Sequence, residues 1–467
     1  MENTANIDKL VALCKGRGFV FPSSEIYGGI ANVWDYGPLG VELKNNIKRE
    51  WWRFFVQESE NSVGIDGSIF LNPRVWVASG HVGGFSDPLM DCRNCKARSR
   101  ADKLAEEFLE HSKIKSLKHP EAMTNTELEQ FINENKIVCP KCGKLSWTPI
   151  RQFNMMFKTT RGTVEENAID IYLRPETAQA QYVNFLNVQR SMRLKLPFGI
   201  GQIGKAFRNE ITPGNFFFRT IEFEQMEHQL FCDASMAAKQ YEQYKKLAWD
   251  FYTICLGLKP QNLRFRDHEK LVFYAKAACD IEYNYWFGWG ELNGTHHRST
   301  HDLSSHAKLC GHPQEYTDPN TGAKTTPTVI ESSHGVDRAV LTVLCDAYDE
   351  ENISTDPKNP DIRIVLRLKP SIAPYKVAVL PLQKKGLSEK AEELYRSLQK
   401  QFMATYDDAG SIGKRYRRQD EIGTPFCVTV DYDTLNDSCV TIRERDSMKQ
   451  TRIKIEEVAQ WIASFVK

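Results

Sequence analysis

Between residues 41 and 56 the apolar side chains Leu43, Ile47, Trp51, Phe54 and Phe55 recur near helical spacing and predict an amphipathic helix. A short apolar run, Ser68–Leu71, reads as a strand stopped by Asn72-Pro73. Residues 88–150 break this texture: they are charged, helical over Asp102–Ser112 and bracketed by cysteine pairs, and so read as an insertion. Alternating apolar runs resume over 151–370, where a strand is expected to end at Val329–Ile330 with a helix over Gly335–Tyr348. Lys369-Pro370-Ser371-Ile372-Ala373-Pro374 has the punctuation of a linker. Beyond it come a strand at Lys376–Leu380, a helix over Ser388–Gln401 with Ser388 as its N-cap, strands at Phe426–Asp431 and Cys439–Ile442, and a closing helix from Ile455. That alternation predicts a small α/β domain with a parallel sheet. The segments are therefore 1–87, 88–150, 151–370 and 371–467.

The chain's 467 residues are too many for one ordinary domain; roughly 100–200 residues per domain suggests two to four. Sixty-one basic against 60 acidic residues leave a net charge of +1, which gives no support to coating polyanions by bulk charge but permits local basic patches. No apolar run reaches about 18 residues, so no membrane span is expected. The first residues lack a signal-type apolar stretch. Twelve scattered cysteines without an export signal suggest a reducing, cytoplasmic setting.

Two cysteine knuckles, Cys92-x2-Cys95 and Cys139-x2-Cys142, offer four thiolates, the donor set of a closed structural zinc site. Gly199-Ile200-Gly201-Gln202-Ile203-Gly204 matches a dinucleotide fingerprint, but the stretch after it reads as strand where the fingerprint needs a helix, so it is taken as a coincidence. Phe207-Arg208-Asn209-Glu210 opens an apparent hairpin that turns at Ile211–Asn215 and returns over Phe216–Phe223. Arg208 and Arg219 at its two ends suit a bidentate grip on phosphate, with aromatics beside them to stack a purine. A solvated hairpin with ordinary core phenylalanines fits that composition equally well. His296, His297, His301, His306 and His312 lie in a polar, turn-like stretch without ligand spacing and read as surface or hydrogen-bonding histidines.

From Arg208 onward the pattern resembles a known family. Phe207–Glu210 through Arg219-x-x-Glu222-Phe223 resembles motif 2 of the class II aminoacyl-tRNA synthetases, and Glu331 through Gly335-Val336-Asp337-Arg338 is similar to motif 3. Asp35-Tyr36-Gly37-Pro38-Leu39-Gly40, the helix after it and the strand expected to close at Pro73 resemble motif 1. Arg174–Gln179 and Phe223–His228 resemble the glycyl branch, and Ile412–Pro425 resembles the anticodon-binding domain of several class II enzymes.

The resemblance implies an α+β protein: a class II antiparallel sheet with flanking helices, a zinc-bearing insertion and a C-terminal α/β anticodon-binding domain. It implies a glycyl-tRNA synthetase that activates glycine with ATP and magnesium and loads tRNA(Gly), as a homodimer with motif 1 at its interface. Arg208 and Arg338 are the implied catalytic pair, on the α- and γ-phosphates. The implied ATP set is Arg208, Asn209, Glu210, Phe218, Arg219, Thr220, Ile221, Glu222, Phe223, Glu291, Leu292, Gly335, Val336, Asp337 and Arg338. The implied glycine set is Arg100, Glu176, Phe223, Glu224, Gln225, Met226, Glu227, Glu331, Ser332, Ser333, His334 and Gly335. Asp337 beside the motif 3 arginine and the loosely patterned run Gly294–Leu303, with Arg298 in it, depart from the family pattern. The alternative from another class is a catalytically dead relative serving as a nucleic-acid-binding accessory subunit; loss of Arg208 or Arg338 would favour it, and both are present.

Overall fold

The fold is a computed structural model that describes residues 7–112, 114, 118–162, 168–210, 214–268, 271, 275–356 and 358–466. The helix predicted over 41–56 forms as α1, Pro38–Trp52, with Pro38 in its first turn, and widens into a π turn over Arg53–Gln57. Leu39, Leu43, Ile47 and Trp51 fall four apart and are all buried, so one stripe of α1 faces the core. Gly40 lets the neighbouring chain approach: a Cβ there would lie 1.8 Å from the Phe19 carbonyl oxygen.

The run Ser68–Leu71 is not a strand. Phe70 is 55% exposed, and Asn72 starts a helix instead of stopping a strand: its side chain accepts the Arg74 amide at 3.0 Å and caps Pro73–Ala78. The strand of this region is β1, Ser62–Gly64. It joins β2 (Phe198–Phe207), β3 (Glu222–Cys232), β4 (Leu263–Asp267), β5 (Ala277–Tyr285), β6 (Gly288–Ser299) and β7 (Thr328–Gly335) in one sheet of order β4-β5-β6-β7-β3-β2-β1. The β1–β2 pair is parallel and the other pairs of this sheet are antiparallel. The glycine fingerprint lies inside β2, which runs on to Phe207, so the stretch directly after it begins as strand, as expected, and not as helix. Its glycines clear neighbouring side chains, since a Cβ on Gly204 would sit 2.2 Å from Arg174 Nη2. The strand expected to end at Ile330 runs on to Gly335 and passes directly into α2, Val336–Ala347. The return of the 207–223 hairpin is also shorter than expected: Asn215–Phe218 turn, and β3 begins only at Glu222, while residues 211–213 of its tip lie outside the described residues. The histidine stretch is strand and helix, with His296 and His297 in β6 and His301 and His306 in the helix His301–Cys310.

Alternation along the strands sorts their side chains. Met226, His228, Ser332 and His334 are buried on one face of β3 and β7, over Trp51, Phe55 and Phe251. Gln225, Glu227, Glu331 and Ser333 point to the other face. The insertion between these parts has its own core of Met90, Leu104, Leu128 and Ile132, with a helix Ala101–His111 close to the one expected.

The C-terminal sheet is mixed, not parallel. In the order β9-β8-β10-β11-β12, β8 (Val377–Pro381) runs parallel to β9 (Ala404–Tyr406) and β10 (Phe426–Val430), while β11 (Cys439–Glu444) and β12 (Gln450–Lys454) are antiparallel. Ser388 is the first residue of α3, Ser388–Leu398, and not its cap: its hydroxyl donates back to the Lys384 carbonyl. Helices α4 (Ile412–Ile422) and α5 (Val458–Val466) follow. Val379, Leu394, Val428, Ile442 and Ile462 form a separate hydrophobic core. The proline-punctuated segment before β8 is docked: Ile372 and Ala373 are fully buried, and Asn46 of α1 donates to both of their carbonyls at 3.1 and 3.0 Å.

Candidate active site

One cleft opens on the face of the sheet that carries Glu227 and Ser333. Antiparallel register puts these two directly opposite each other, and the Ser333 hydroxyl donates to Glu227 Oε1 at 2.8 Å. Gln225 donates to the same oxygen at 3.1 Å, and the Thr177 hydroxyl donates to Oε2. Glu331 accepts from Gln229 at 2.8 Å, from Arg298 at 2.9 Å and from His296 at 3.0 Å. Arg298 is itself held fork to fork by Asp302, at 2.8 and 2.9 Å.

Glu176 completes a cluster of three carboxylates. Burial pushes all three toward the neutral acid. For Glu331 the Arg298 guanidinium and His296 outweigh burial and hold its pKa down to about 2. Glu176 is likewise held well below the usual range, by His81 and Arg298. For Glu227 burial wins, aided by the charges of Glu331 and Glu176, and its pKa is pushed up to about 7. The cluster therefore presents two carboxylates held ionised and one carboxyl with a pKa near neutrality, beside Gln225, His296, Arg298 and Ser333.

The other end of the cleft carries arginines. Arg208 donates from Nε to the Pro175 carbonyl at 3.0 Å, and its guanidinium lies 5.3 Å from the Phe223 ring. Arg338 packs over Phe218 at 4.4 Å and reaches the Glu291 carboxylate at 3.2 Å. Arg219 stands 3.8 Å from Glu210. Three guanidiniums beside two aromatic rings have the chemistry to grip a polyphosphate bearing a flat base.

Asp337 takes a different place. It accepts from Tyr36 at 2.5 Å, from Lys44 at 3.2 Å and from the Glu224 amide at 2.7 Å. Its carboxylate thus ties the segment before α1, the start of β3 and the start of α2 together behind the arginines. Glu224 borders the cleft while its carboxylate pairs with Lys44 and Lys48.

The structure gathers Glu176, Arg208, Glu210, Phe218, Arg219, Thr220, Phe223, Glu224, Gln225, Glu227, Glu291, Leu292, Glu331, Ser333, Gly335, Asp337 and Arg338 around this cleft. Other residues of the implied sets stand elsewhere. Met226, Ser332, His334 and Val336 are fully buried away from it. The Ile221 carbonyl receives the Arg208 amide, the Asn209 amide donates to the Met155 carbonyl, and Glu222 forms a surface pair with Lys205. Arg100 is engaged by Asp87 and Asp102 in the insertion. His296, read from sequence as a surface or hydrogen-bonding histidine, and Arg298, for which the sequence leaves open a contact to the substrate carboxylate or α-phosphate, line the cleft. The signal was present: Leu292, Gly294, His296 and Arg298 alternate along β6 and all face the cavity. His306 hydrogen-bonds Gln179 at 2.8 Å, in keeping with its reading as a hydrogen-bonding histidine.

Apart from the cleft, the Sγ atoms of Cys92, Cys95, Cys139 and Cys142 all lie within 4.8 Å of one another. The Cys92–Cys142 and Cys95–Cys139 contacts are 3.6 Å each. A tetrahedral zinc with bonds of about 2.3 Å needs sulfurs roughly 3.8 Å apart, so the donor set and its spacing fit that ion. Among the described residues no helix is long and apolar enough to cross a membrane.

Comparisons with known proteins match three stretches of the chain. Residues 157–347 match the tRNA synthetase class II core domain (G, H, P, S and T), residues 376–465 an anticodon binding domain, and residues 111–155 the glycyl-tRNA synthetase insertion domain 1. The chain is 58% identical over 454 residues to a glycine–tRNA ligase of Clostridium perfringens, covering 97% of both chains. It is 56% identical over 469 residues to those of Clostridium acetobutylicum and Caldanaerobacter subterraneus, covering 100% of each chain.

Proposed function

The chain belongs to the glycine–tRNA ligase family of class II aminoacyl-tRNA synthetases, and from that premise we propose how its residues divide the reaction. The ligase joins glycine to tRNA at the expense of ATP. The accessory-subunit alternative has no support, because the relatives matched over the whole chain are ligases.

One observation carries the assignment of roles: a single cleft holds Glu176, Glu227 and Glu331 around Arg298 in one part, and Arg208, Arg219 and Arg338 with Glu210 and Glu291 in the other. Glu176, Glu227 and Glu331 take the glycine ammonium, with Ser333 beside them. A pocket filled by these groups leaves no room for a side chain, and steric exclusion of larger substrates is the easier form of discrimination. Arg208 holds the ATP α-phosphate, Arg338 the γ-phosphate and Arg219 the phosphates between; Phe223 stacks on adenine and Glu210 lies near it. The glycine carboxylate attacks the α-phosphorus, forming glycyl-adenylate and releasing pyrophosphate, and the 3′-terminal hydroxyl of tRNA(Gly) then displaces AMP. No protein nucleophile is needed; in-line positioning and neutralised charge supply the catalysis. Glu291 offers a hard oxygen donor for the magnesium that accompanies ATP, which supplies charge neutralisation at the leaving pyrophosphate.

Segments 1–87 and 151–370 carry this chemistry, 88–150 a structural zinc on Cys92, Cys95, Cys139 and Cys142, and 371–467 anticodon binding, an arrangement supported by their distinct cores. The working form is a cytoplasmic homodimer. Amino-acid-dependent ATP–pyrophosphate exchange, run with all twenty amino acids, tests the pocket: glycine alone gives strong exchange, and comparable exchange with alanine or serine overturns the role given to the carboxylates.

A further inference from the structure

A short turn outside every motif used above touches both halves of the cleft. Residues 79–85 read Ser-Gly-His-Val-Gly-Gly-Phe. His81 Nε2 stands 3.4 Å from Glu176 Oε2, and both side chains are largely buried. Four residues later, the Phe85 ring lies 5.3 Å from the Arg208 guanidinium, on which Phe223 also packs at 5.3 Å. One turn therefore contacts a carboxylate of the ammonium pocket and an arginine of the phosphate end.

The turn is itself fixed. The His81 ring meets Trp76 edge-on at 5.5 Å and lies 5.2 Å from Phe85. Its Nδ1 is 2.8 Å from the Ser79 hydroxyl, a contact that leaves Nε2 facing Glu176. Asn154 donates to the Val82 carbonyl at 3.1 Å, and the Met155 amide donates to the Phe85 carbonyl at 3.0 Å. The Met155 carbonyl in turn accepts the amide of Asn209, the residue after Arg208, at 2.8 Å. On its other side Glu176 Oε1 accepts from Gln179 at 2.9 Å, and Gln179 accepts from His306 at 2.8 Å. The Glu176 carboxylate is thus gripped from two directions.

We propose that His81 and Phe85 are positioning residues of the activation step: His81 fixes the Glu176 carboxylate for the glycine ammonium, and Phe85, with Phe223, fixes the Arg208 guanidinium for the ATP α-phosphate. The turn sets the distance between the two substrates, because its ends hold one residue of each subsite. This rests on the roles given above to Glu176 and Arg208.

The test is exchange kinetics with glycine and ATP varied separately, in the full chain. His81→Ala raises KM for glycine about 10-fold, the scale of removing one charge-assisted hydrogen bond, and leaves KM for ATP within about 2-fold. His81→Gln, which keeps an N–H donor, recovers most of the loss. Phe85→Leu raises KM for ATP or lowers kcat about 5-fold, as expected for removing one cation–π pairing, while Phe85→Tyr is near normal. KM for glycine does not move in either Phe85 variant. A merely structural turn moves both KM values together, or only the melting temperature, and either result overturns the proposal. Glu176→Gln in the same assay separates the layers. If it raises KM for glycine while His81→Ala does not, only the proposal fails; if it leaves KM for glycine unchanged, the pocket assignment fails and the proposal with it.

Discussion

Lys44 and Asp337 meet at 3.2 Å although 293 residues separate them along the chain. Their side chains are 7% and 11% exposed, and Lys44 also pairs with Glu224 at 3.0 Å. Burial alone would raise the Asp337 pKa, but Lys44, the Tyr36 hydroxyl and the Glu224 amide outweigh it and hold the carboxyl below its ordinary value. The ionised form is thus built into the folded state behind the arginines of the cleft.

Lys44→Met leaves Asp337 with no cation and Glu224 with Lys48 alone. Removing one partner of a buried pair costs about 3–5 kcal/mol. The expected outcome is a catalytic segment destabilised by that order in urea. Lys44→Met combined with Asp337→Asn is less destabilised than the two single effects added. A double-mutant cycle with coupling near zero contradicts this account.

Glu227 gives the pocket a pH dependence. Its pKa of about 7 in the free pocket means that below neutrality the cluster loses one negative charge. A glycine ammonium placed there, as proposed, favours the ionised form, so its binding would drive a proton off Glu227. KM for glycine is therefore expected to rise as pH falls through 7, by up to about 10-fold per pH unit for one coupled proton. Glu227→Gln flattens the dependence and weakens binding throughout. A KM for glycine constant between pH 6 and 8 in wild type rules the mechanism out.

Recognition from sequence worked where chemistry sits in contiguous runs. Arg208, Phe223, Glu227 and Arg338 were found in motifs, and the structure puts all four on one cleft. The same runs brought in Met226, Ser332 and His334, because a linear motif does not distinguish alternate residues of a strand whereas the pleat does. His296 and Arg298 were left out of the site sets for the opposite reason. Their stretch is rich in Gly, Thr and His and reads as a turn, yet it is a central strand between β5 and β7 whose polar groups are satisfied by Glu331 and Asp302. The Lys369–Pro374 linker misled because prolines mark a bend without saying whether the bend is buried. Arg363, fully buried before that bend, bonds Asp420 at 2.9 Å after it, so the two sides are welded together. Cutting the chain near Ser371 is accordingly expected to strand Arg363 and to cost the catalytic segment stability.

The four cysteines predict a metal-dependent insertion. Their knuckles are closed by backbone bonds from Cys92 to Ala97 at 2.7 Å and from Cys139 to Lys144 at 3.0 Å. The core beneath them is small. About one zinc per chain is expected, and Cys92→Ser or chelation should release it and open residues 88–150 to proteolysis before the rest of the chain. Metal-free wild type that resists proteolysis there excludes the site.

The basic cluster of α4, Lys414, Arg415, Arg417 and Arg418, has the composition of a phosphate patch. The structure removes most of it from that role. Arg415 is 2% exposed, and its guanidinium donates to the carbonyls of Pro381, Leu382 and Asp407. Arg418 is held by Asp407 at 2.6 Å, and Arg417 by Asp361 at 2.6 Å, an acid that precedes the linker. Among the described residues Lys414 is exposed and has no ion pair. Arg415→Gln therefore leaves buried carbonyls without a donor, at about 1–3 kcal/mol for each group, and lowers the stability of the C-terminal domain. Arg417→Gln loosens the joint between the C-terminal domain and the rest of the chain and leaves the salt dependence of tRNA binding nearly unchanged. Lys414→Gln lowers the slope of log affinity against log salt by about 1 at most, the change for giving up one phosphate partner. The measurements are tRNA affinity across a salt series and thermal unfolding for each variant. An Arg415→Gln protein that melts like wild type but whose salt slope falls by a full unit restores the patch; one that melts early with an unchanged slope shows that Arg415 builds the domain.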